Sequence, residues 1–155
     1  MALIDPGKLA PSFSLKDQSE EVHTLADYAG RPVVLYFYPK DDTPGCTTES
    51  CAFQDHLPKF KKSKAVVLGV SVLGTASKAK FAAKYQLAFP LLADEDHAVI
   101  EKYGVWQEKS MYGKKYMGVA RTTYLIGADG KVIRRWDGVK VDLHAEEVLR
   151  AVQAL

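Results

Sequence analysis

Two uninterrupted apolar runs mark the centre of the predicted fold. Residues 33–38 read VVLYFY and residues 65–72 read AVVLGVSV, each rich in β-branched or aromatic side chains. Such runs are typical of strands buried on both faces of a sheet. The stretch between them, roughly residues 46–60, has the length of a helix and few β-formers. Strand, helix and strand in this order predict a right-handed crossover and a parallel pair inside the sheet.

Two further patterns predict the C-terminal part of the chain. Residues 122–126 and 131–136 are β-rich runs joined by a GADG loop, which indicates a β-hairpin. After them, apolar side chains recur with the period of a helix, and Asp142 is the predicted cap of that helix. Its predicted core positions are Ala145, Val148, Leu149 and Val152.

A helix and a small hairpin are predicted outside these runs. Residues 76–85 favour a helix. Its predicted packed face consists of Ala79, Phe81, Ala82 and Tyr85. Residues 13–15 and 22–24 predict a hairpin, although the turn between them lacks the usual glycine. Together these elements predict a single α/β domain over residues 1–155, with a mixed central sheet, covering helices and an N-terminal extension hairpin.

Length and composition exclude several classes of protein. A chain of 155 residues buries enough surface to fold without a disulfide or metal, so its two cysteines need another explanation than scaffolding. A net charge of +2 argues against a nucleic-acid partner. The longest apolar run, residues 33–38, is too short to span a bilayer, and the first residues show no signal pattern. We therefore expect a cytoplasmic protein with no membrane association.

The segment YPKDDTPGCTTESC, residues 38–51, carries the candidate chemistry. It leaves the first buried strand at its carboxyl end, where ligands and catalytic groups of open α/β sheets gather. Thr43 is a natural N-cap and Pro44 suits the first helical position, which places Cys46 in the first turn of the helix. The free amides and the positive dipole end at that place favour a thiolate over a thiol.

The spacing of the two cysteines restricts what they can do together. Residues five apart on one helix have Cα atoms about 8–9 Å apart, and a disulfide needs less than about 7 Å. Cys46 and Cys51 can therefore bond only if the first turns of the helix unwind. The alternative is that either cysteine is simply a small buried apolar residue. That alternative is weaker for Cys46, because Thr43, Pro44 and Gly45 place it at a helix start.

The same segment resembles the active-site signature of the peroxiredoxins, and its flanks are similar to the peroxiredoxin Q group, also called bacterioferritin comigratory protein. The signature positions are Pro39, Thr43 and Cys46. Similar segments of that group match most of the chain, among them residues 10–13, 89–94, 103–106 and 121–126. The resemblance implies a thioredoxin-like fold and the thiol-dependent reduction of hydrogen peroxide and organic hydroperoxides.

The resemblance also implies roles for individual residues. Cys46 corresponds to the peroxidatic cysteine, Thr43 and Arg121 assist it, Pro39 shields it, and Cys51 corresponds to the resolving cysteine. By the same resemblance the disulfide is reduced by thioredoxin, and the protein is a monomer.

Glu49 and Lys78 lie outside the signature positions. Glu49, one turn after Cys46, is expected either to hold the guanidinium of Arg121 or merely to complement the helix dipole. Lys78 replaces a histidine of many relatives and is expected to affect surface chemistry only.

Other features predict no further site. The four histidines show no metal-ligand spacing, so neither a metal nor another cofactor is expected. Two other functions use the same cysteines: a general thiol-disulfide oxidoreductase, disfavoured because C-x-x-C is absent, and a non-enzymatic redox switch. Sustained peroxide turnover would distinguish the peroxidase from both.

Overall fold

A computed structural model describes residues 2–155 and arranges them as nine strands and five helices. The strands are β1 (Ser14–Lys16), β2 (Val22–Thr24), β3 (Val33–Phe37), β4 (Val66–Ser71), β5 (Leu91–Ala93), β6 (Trp106–Met111), β7 (Lys114–Val119), β8 (Thr122–Ile126) and β9 (Val132–Trp136). The helices are α1 (Pro44–Asp55), α2 (Leu57–Lys62), α3 (Thr75–Tyr85), α4 (Ala98–Lys102) and α5 (His144–Gln153). A short 3₁₀ helix, Leu25–Tyr28, follows β2.

The central sheet has seven strands in the order β2-β1-β5-β4-β3-β8-β9. Strand β3 lies inside it, parallel to β4 and antiparallel to β8, and every residue of β3 is buried. The predicted parallel pair and the predicted C-terminal hairpin, β8 and β9, are both confirmed. The mixed sheet follows from these two connections, because a helical crossover gives parallel strands and a tight loop gives antiparallel ones.

The N-terminal hairpin is also confirmed, and it joins the central sheet because β1 pairs with β5. Its turn manages without glycine in two ways. Glu20 adopts the left-handed conformation at φ 62°. The carboxylate of Asp17 accepts hydrogen bonds from the backbone amides of Ser19 at 2.8 Å and Glu21 at 3.0 Å. The hydrogen bonds of the Asp17 side chain thereby hold the chain in a tight turn, which a glycine would otherwise allow through its wider range of backbone angles.

The helix predicted between the first two long strands is broken into α1 and α2 at His56. Pro58 explains the break. It has no amide hydrogen to donate, and its ring would clash with the preceding turn of a continuous helix. At the start of α2, where an amide has no helical partner, the same proline is tolerated.

Helix α3 confirms the predicted element and corrects its packed face. Ala79 is exposed, whereas Lys78 is 0% exposed. The face toward the sheet therefore runs through Lys78, Phe81, Ala82 and Tyr85, at helical spacings of three, four and seven. The expectation that Lys78 affects only surface chemistry is wrong, because its polar end is satisfied inside the protein, as described below.

Helix α5 buries the predicted apolar face, but Asp142 does not cap it. The residue before the helix is Leu143, which adopts a left-handed conformation at φ 60° and makes no side-chain cap. A tight turn here replaces side-chain capping. Strand β5, helix α4 and the β6–β7 hairpin had no counterpart in the sequence prediction, because β5 is short and the hairpin strands are largely exposed.

The side chains of β3 alternate between two cores. Val34 and Tyr36 face the core covered by α1, α2, α3 and α5, whereas Leu35 and Phe37 face the core of the opposite side. Helix α1 is fixed to the first core by Phe53, whose ring stacks on Tyr36 at 4.7 Å between centroids. In the described residues, we find no helix with the length and apolarity required to cross a membrane.

Shortening Phe53 tests how strongly the sheet holds α1. Because Phe53 is completely buried, Phe53→Ala is expected to lower the free energy of unfolding by about 3–5 kcal/mol. The matched control is Tyr112→Ala, since Tyr112 is 98% exposed, and its effect should stay within about 0.5 kcal/mol. Urea denaturation of the reduced proteins measures both. Equal losses in the two variants would contradict this packing.

Candidate active site

Cys46 lies in the first turn of α1, at the carboxyl end of β3. Its side chain is 1% exposed and belongs to the core that covers Val34 and Tyr36. Pro44 occupies the start of the helix, as predicted. The sequence produces this arrangement because a buried strand must leave the sheet at residue 38, and the proline at residue 44 is compatible only with the beginning of a new helix.

Thr43 occupies the predicted N-cap position, with an extended backbone at φ −98° and ψ 155°. Its hydroxyl does not cap the helix, which corrects that part of the prediction. It donates instead to the backbone carbonyl of Lys40 at 2.8 Å. Thr43 therefore stabilises the loop that precedes α1, and the amides of the first turn stay free of a side-chain cap. Pro39, half-buried, lies at the other end of this loop, directly after Tyr38.

The guanidinium of Arg121 joins Cys46 to Glu49. Its Nη2 lies 3.2 Å from Cys46 Sγ, and its Nη1 donates to Glu49 Oε1 at 2.7 Å. Cys46 and Glu49 are three residues apart on one helix and therefore share a face. The expected clamp of Arg121 by Glu49 is thus present in the structure.

Sheet register brings Arg121 to this place. Arg121 directly precedes β8, and Thr122 at the start of β8 pairs with Phe37 at the end of β3. The beginning of β8 therefore lies beside the point where the chain turns toward α1. Gly45 leaves room for the guanidinium, because a Cβ atom at residue 45 would lie 3.2 Å from Arg121 Nη2. Any larger residue there would press on the group that contacts the thiol.

Burial and neighbouring charges shift the pKa values of Glu49 and Arg121 in opposite directions. Burial raises the pKa of Glu49 to about 7, although the guanidinium of Arg121 favours the carboxylate. Burial lowers the pKa of Arg121, but the charges of Glu49 and Cys46 more than compensate, and the net direction is upward. Glu49 is 1% exposed, and its Oε2 atom has no hydrogen-bond partner among the described residues. Arg121 thus stays cationic beside the thiol while Glu49 titrates near neutrality.

Cys51 lies on the same continuous helix as Cys46, and both cysteines are free. The side chain of Cys51 is half-buried against the core. Burial raises the pKa of this thiol, and the nearby carboxylate of Asp55 raises it further. In the intact helix Cys51 is therefore a protonated, poorly reactive thiol, and the helix keeps it from bonding with Cys46.

A buried ion pair behind the site was not predicted from the sequence. Asp41, in the loop before α1, lies 3.3 Å from the ammonium nitrogen of Lys78 on α3. Both side chains are almost completely buried. The helical spacing of Lys78 relative to Phe81, Ala82 and Tyr85 indicates that the lysine lies on the packed face, but it does not identify Asp41 as its partner.

One group of three potential metal ligands occurs in the part of the chain that the structure describes, formed by Asp17, Glu21 and His23. The ligand atoms of Asp17 and His23 are already used within the protein. Both ring nitrogens of His23 have partners, the hydroxyl of Tyr28 and the carboxylate of Asp17. Asp17 also holds the β1–β2 turn. We interpret the group as a structural clasp of the hairpin.

Comparison with known proteins agrees with this geometry. The profile of the AhpC/TSA family matches residues 6–135. The chain is 47% identical over 146 residues to a protein named putative peroxiredoxin bcp from Coxiella burnetii, covering 94% of this chain and 97% of that one. The chain belongs to the AhpC/TSA family. It is a peroxiredoxin, and thus an enzyme that reduces peroxides through a cysteine thiol.

Solved structures confirm the thioredoxin-like fold that the sequence resemblance implied. The PrxQ protein of Xylella fastidiosa superposes with a TM-score of 0.94 at 38% identity, over 99% of this chain and 98% of that one. The bacterioferritin comigratory protein of Xanthomonas campestris superposes with a TM-score of 0.90 at 41% identity, over 99% and 98%. The latter structure is described as a trapped intermediate and ligand complex relating to alkyl peroxide reduction.

Replacing Glu49 tests the electrostatics of this peroxiredoxin site. Burial raises the pKa of Glu49 from 4.5 to about 7, so the folded state holds this proton more tightly than the unfolded state. The wild type therefore loses up to about 3 kcal/mol of stability as pH rises between these values. Glu49→Gln cannot titrate. We expect the stability advantage of the wild type over Glu49→Gln to shrink between pH 5 and pH 8 in urea denaturation.

The control for this titration is Glu108→Gln, which removes an exposed carboxylate of β6. Its difference from the wild type should change little across the same pH range. A difference between wild type and Glu49→Gln that is constant from pH 5 to pH 8 would show that Glu49 does not titrate in this range.

Proposed function

We propose that Cys46 is the peroxidatic cysteine, that Arg121 and Thr43 assist it, and that Cys51 resolves the oxidised form. The observation that carries this proposal is the fork of Arg121, 3.2 Å from Cys46 Sγ and 2.7 Å from Glu49 Oε1. A permanently charged, multiply donating group beside a helix-start cysteine is the arrangement that stabilises a thiolate and a charged transition state.

In the first step, the Cys46 thiolate attacks one peroxide oxygen and forms a sulfur–oxygen bond while the oxygen–oxygen bond breaks. The leaving oxygen takes a proton and departs as water or alcohol, and Cys46 becomes a sulfenic acid. Negative charge spreads over the sulfur and both oxygens in the transition state. Arg121 and the backbone amides of the first turn of α1 stabilise this charge, while Glu49 keeps the guanidinium oriented. The loop between Pro39 and Thr43 shields the sulfur.

In the second step, the first turn of α1 unwinds and the Cys51 sulfur attacks the Cys46 sulfur. The sulfur–oxygen bond breaks, hydroxide leaves as water, and an intramolecular disulfide forms. The turn, residues 44–47, can unwind at low cost, because Pro44, Gly45 and Thr47 bury little apolar surface and only Cys46 is buried.

A dithiol protein must then reduce the disulfide by exchange, and we propose that thioredoxin does so. The substrates we propose are hydrogen peroxide and alkyl hydroperoxides, the latter supported by the alkyl peroxide reduction named for the Xanthomonas campestris relative. Because the cycle needs its disulfide re-reduced at each turn, we expect a reducing compartment, the cytoplasm. We further propose that the 155 residues act as one domain and as a monomer.

Substituting each cysteine separately tests the assigned roles. Cys46→Ser should abolish peroxide reduction, because the nucleophile is gone. Cys51→Ala should still consume about one equivalent of peroxide and stop at a sulfenic acid. Trapping with dimedone followed by mass spectrometry identifies the modified residue. Loss of the first reaction in Cys51→Ala together with its retention in Cys46→Ser would reverse the assignment.

A coupled assay tests the reductant. With thioredoxin, thioredoxin reductase and NADPH, the wild type should oxidise NADPH continuously as long as peroxide is supplied. Cys51→Ala provides the matched control, because its sulfenic acid lacks the intramolecular partner. A single burst of NADPH consumption by the wild type would instead indicate a redox switch, and turnover only with another dithiol would exclude thioredoxin as the reductant.

A further inference from the structure

The loop between β3 and α1 is held by α3 and not by the helix that it begins. Asp41 accepts hydrogen bonds from the hydroxyls of Tyr38 and Ser77, the latter at 2.7 Å. The ammonium of Lys78 lies 3.3 Å from Asp41 and also donates to the hydroxyl of Ser71, the last residue of β4. This network therefore ties the loop to β4 and α3.

The network is closed to solvent, which makes the ion pair sensitive to the loss of either partner. The side chains of Lys78 and Asp41 are 0% and 2% exposed. Burial lowers the pKa of Lys78, while the charges of Asp41 and, more weakly, Cys46 favour its charged form. A buried carboxylate deprived of its cation must either take up a proton or move toward water. Either change would weaken the contacts by which Asp41 holds the loop to Ser77 and Lys78.

The next residue of the loop, Asp42, is also attached to α3, through contacts that are exposed to solvent. Asp42, which adopts the left-handed conformation at φ 57°, accepts hydrogen bonds from Tyr85 at 2.7 Å and from Lys84 at 3.0 Å. Both donors lie on α3. Consecutive acidic residues of the loop are thus held by one helix, and that helix takes no part in the unwinding of α1.

We propose that Lys78 is a positioning residue for the reaction at Cys46. Lys78 holds Asp41, and Asp41 holds the loop between β3 and α1. The loop thus stays in place while the first turn of α1 unwinds and re-forms. The inference rests on the proposed roles of Cys46 and Cys51. The peroxide step needs the wound helix, in which Cys46 meets Arg121, and the disulfide step needs the unwound one. A fixed loop returns the sulfur to the guanidinium after each cycle.

Removing the charge of Lys78 should therefore slow the peroxide step without slowing the disulfide step. In Lys78→Met, which keeps an unbranched side chain one atom shorter and removes the charge, the reaction of the reduced enzyme with hydrogen peroxide should slow by about ten- to a hundredfold. Disulfide formation from the sulfenic acid should be as fast as in the wild type or faster, so more peroxide should be needed to over-oxidise Cys46. Stopped-flow mixing with quenching and mass spectrometry resolves the two steps.

Two controls separate positioning from loss of stability. Ile100→Ala removes buried apolar contacts in the core of the opposite sheet face and should lower the melting temperature without slowing the peroxide step. In the double variant Lys78→Met/Asp41→Asn no charge is left unpaired, so the double variant should recover much of the peroxide rate lost in Lys78→Met. Asp41→Asn alone preserves shape and leaves Lys78, whose pKa burial lowers, free to give up its proton, so it provides a second variant in case Lys78→Met does not fold.

The outcomes distinguish this inference from the proposed function. An unchanged peroxide rate in both Lys78→Met and Asp41→Asn would overturn the positioning role of Lys78 while wild-type turnover continues. A loss of rate in Ile100→Ala equal to that in Lys78→Met, at similar melting temperatures, would also overturn it. If the wild type itself forms no Cys46–Cys51 disulfide after peroxide treatment, the proposed roles of the cysteines fail first, and the inference fails with them.

Discussion

The guanidinium of Arg121 is the one group that connects the thiol to the rest of the architecture. It contacts Cys46 with one nitrogen and Glu49 with another, so its plane is fixed by two hydrogen bonds that it donates to the same helix. Both partners are almost completely buried, so water competes little for the guanidinium in its contacts with them. The pairing of β3 with β8, the start of α1 and the small residue at position 45 are all required for this contact.

The same site combines a rigid part with a part that is easily opened. Beyond the first turn, α1 is anchored by Phe53 against Tyr36 and by the hydrogen bond between the hydroxyls of Ser50 and Tyr36 at 2.8 Å. Before the turn, the loop is anchored through Asp41. Between these two fixed regions, residues 44–47 bury little besides the side chain of Cys46. Local unfolding can therefore be confined to the segment that the proposed disulfide would require to move.

Sequence reasoning succeeded where a pattern reports directly on burial. The runs at residues 33–38 and 65–72 predicted β3 and β4, because only strands buried on both faces carry uninterrupted β-branched and aromatic side chains. Sequence reasoning failed where a charged side chain is buried together with a partner of opposite charge. Lys78 looked like a solvated residue of a helix, and neither its spacing alone nor its charge revealed that Asp41, thirty-seven residues earlier in the chain, lies opposite it.

The amino-acid sequence by itself determined the mixed α/β architecture and the position of Cys46 in the first turn of a helix, because the hydrophobic period, proline and glycine act on the backbone close to where they occur. It also determined that Cys46 and Cys51 cannot bond on an intact helix, since helix geometry is the same in every protein. Only the tertiary structure decided which groups surround the sulfur. The approach of Arg121 to Cys46, the burial that raises the pKa of Glu49 and the ion pair of Lys78 all depend on sheet register and helix packing, which join residues distant in the chain.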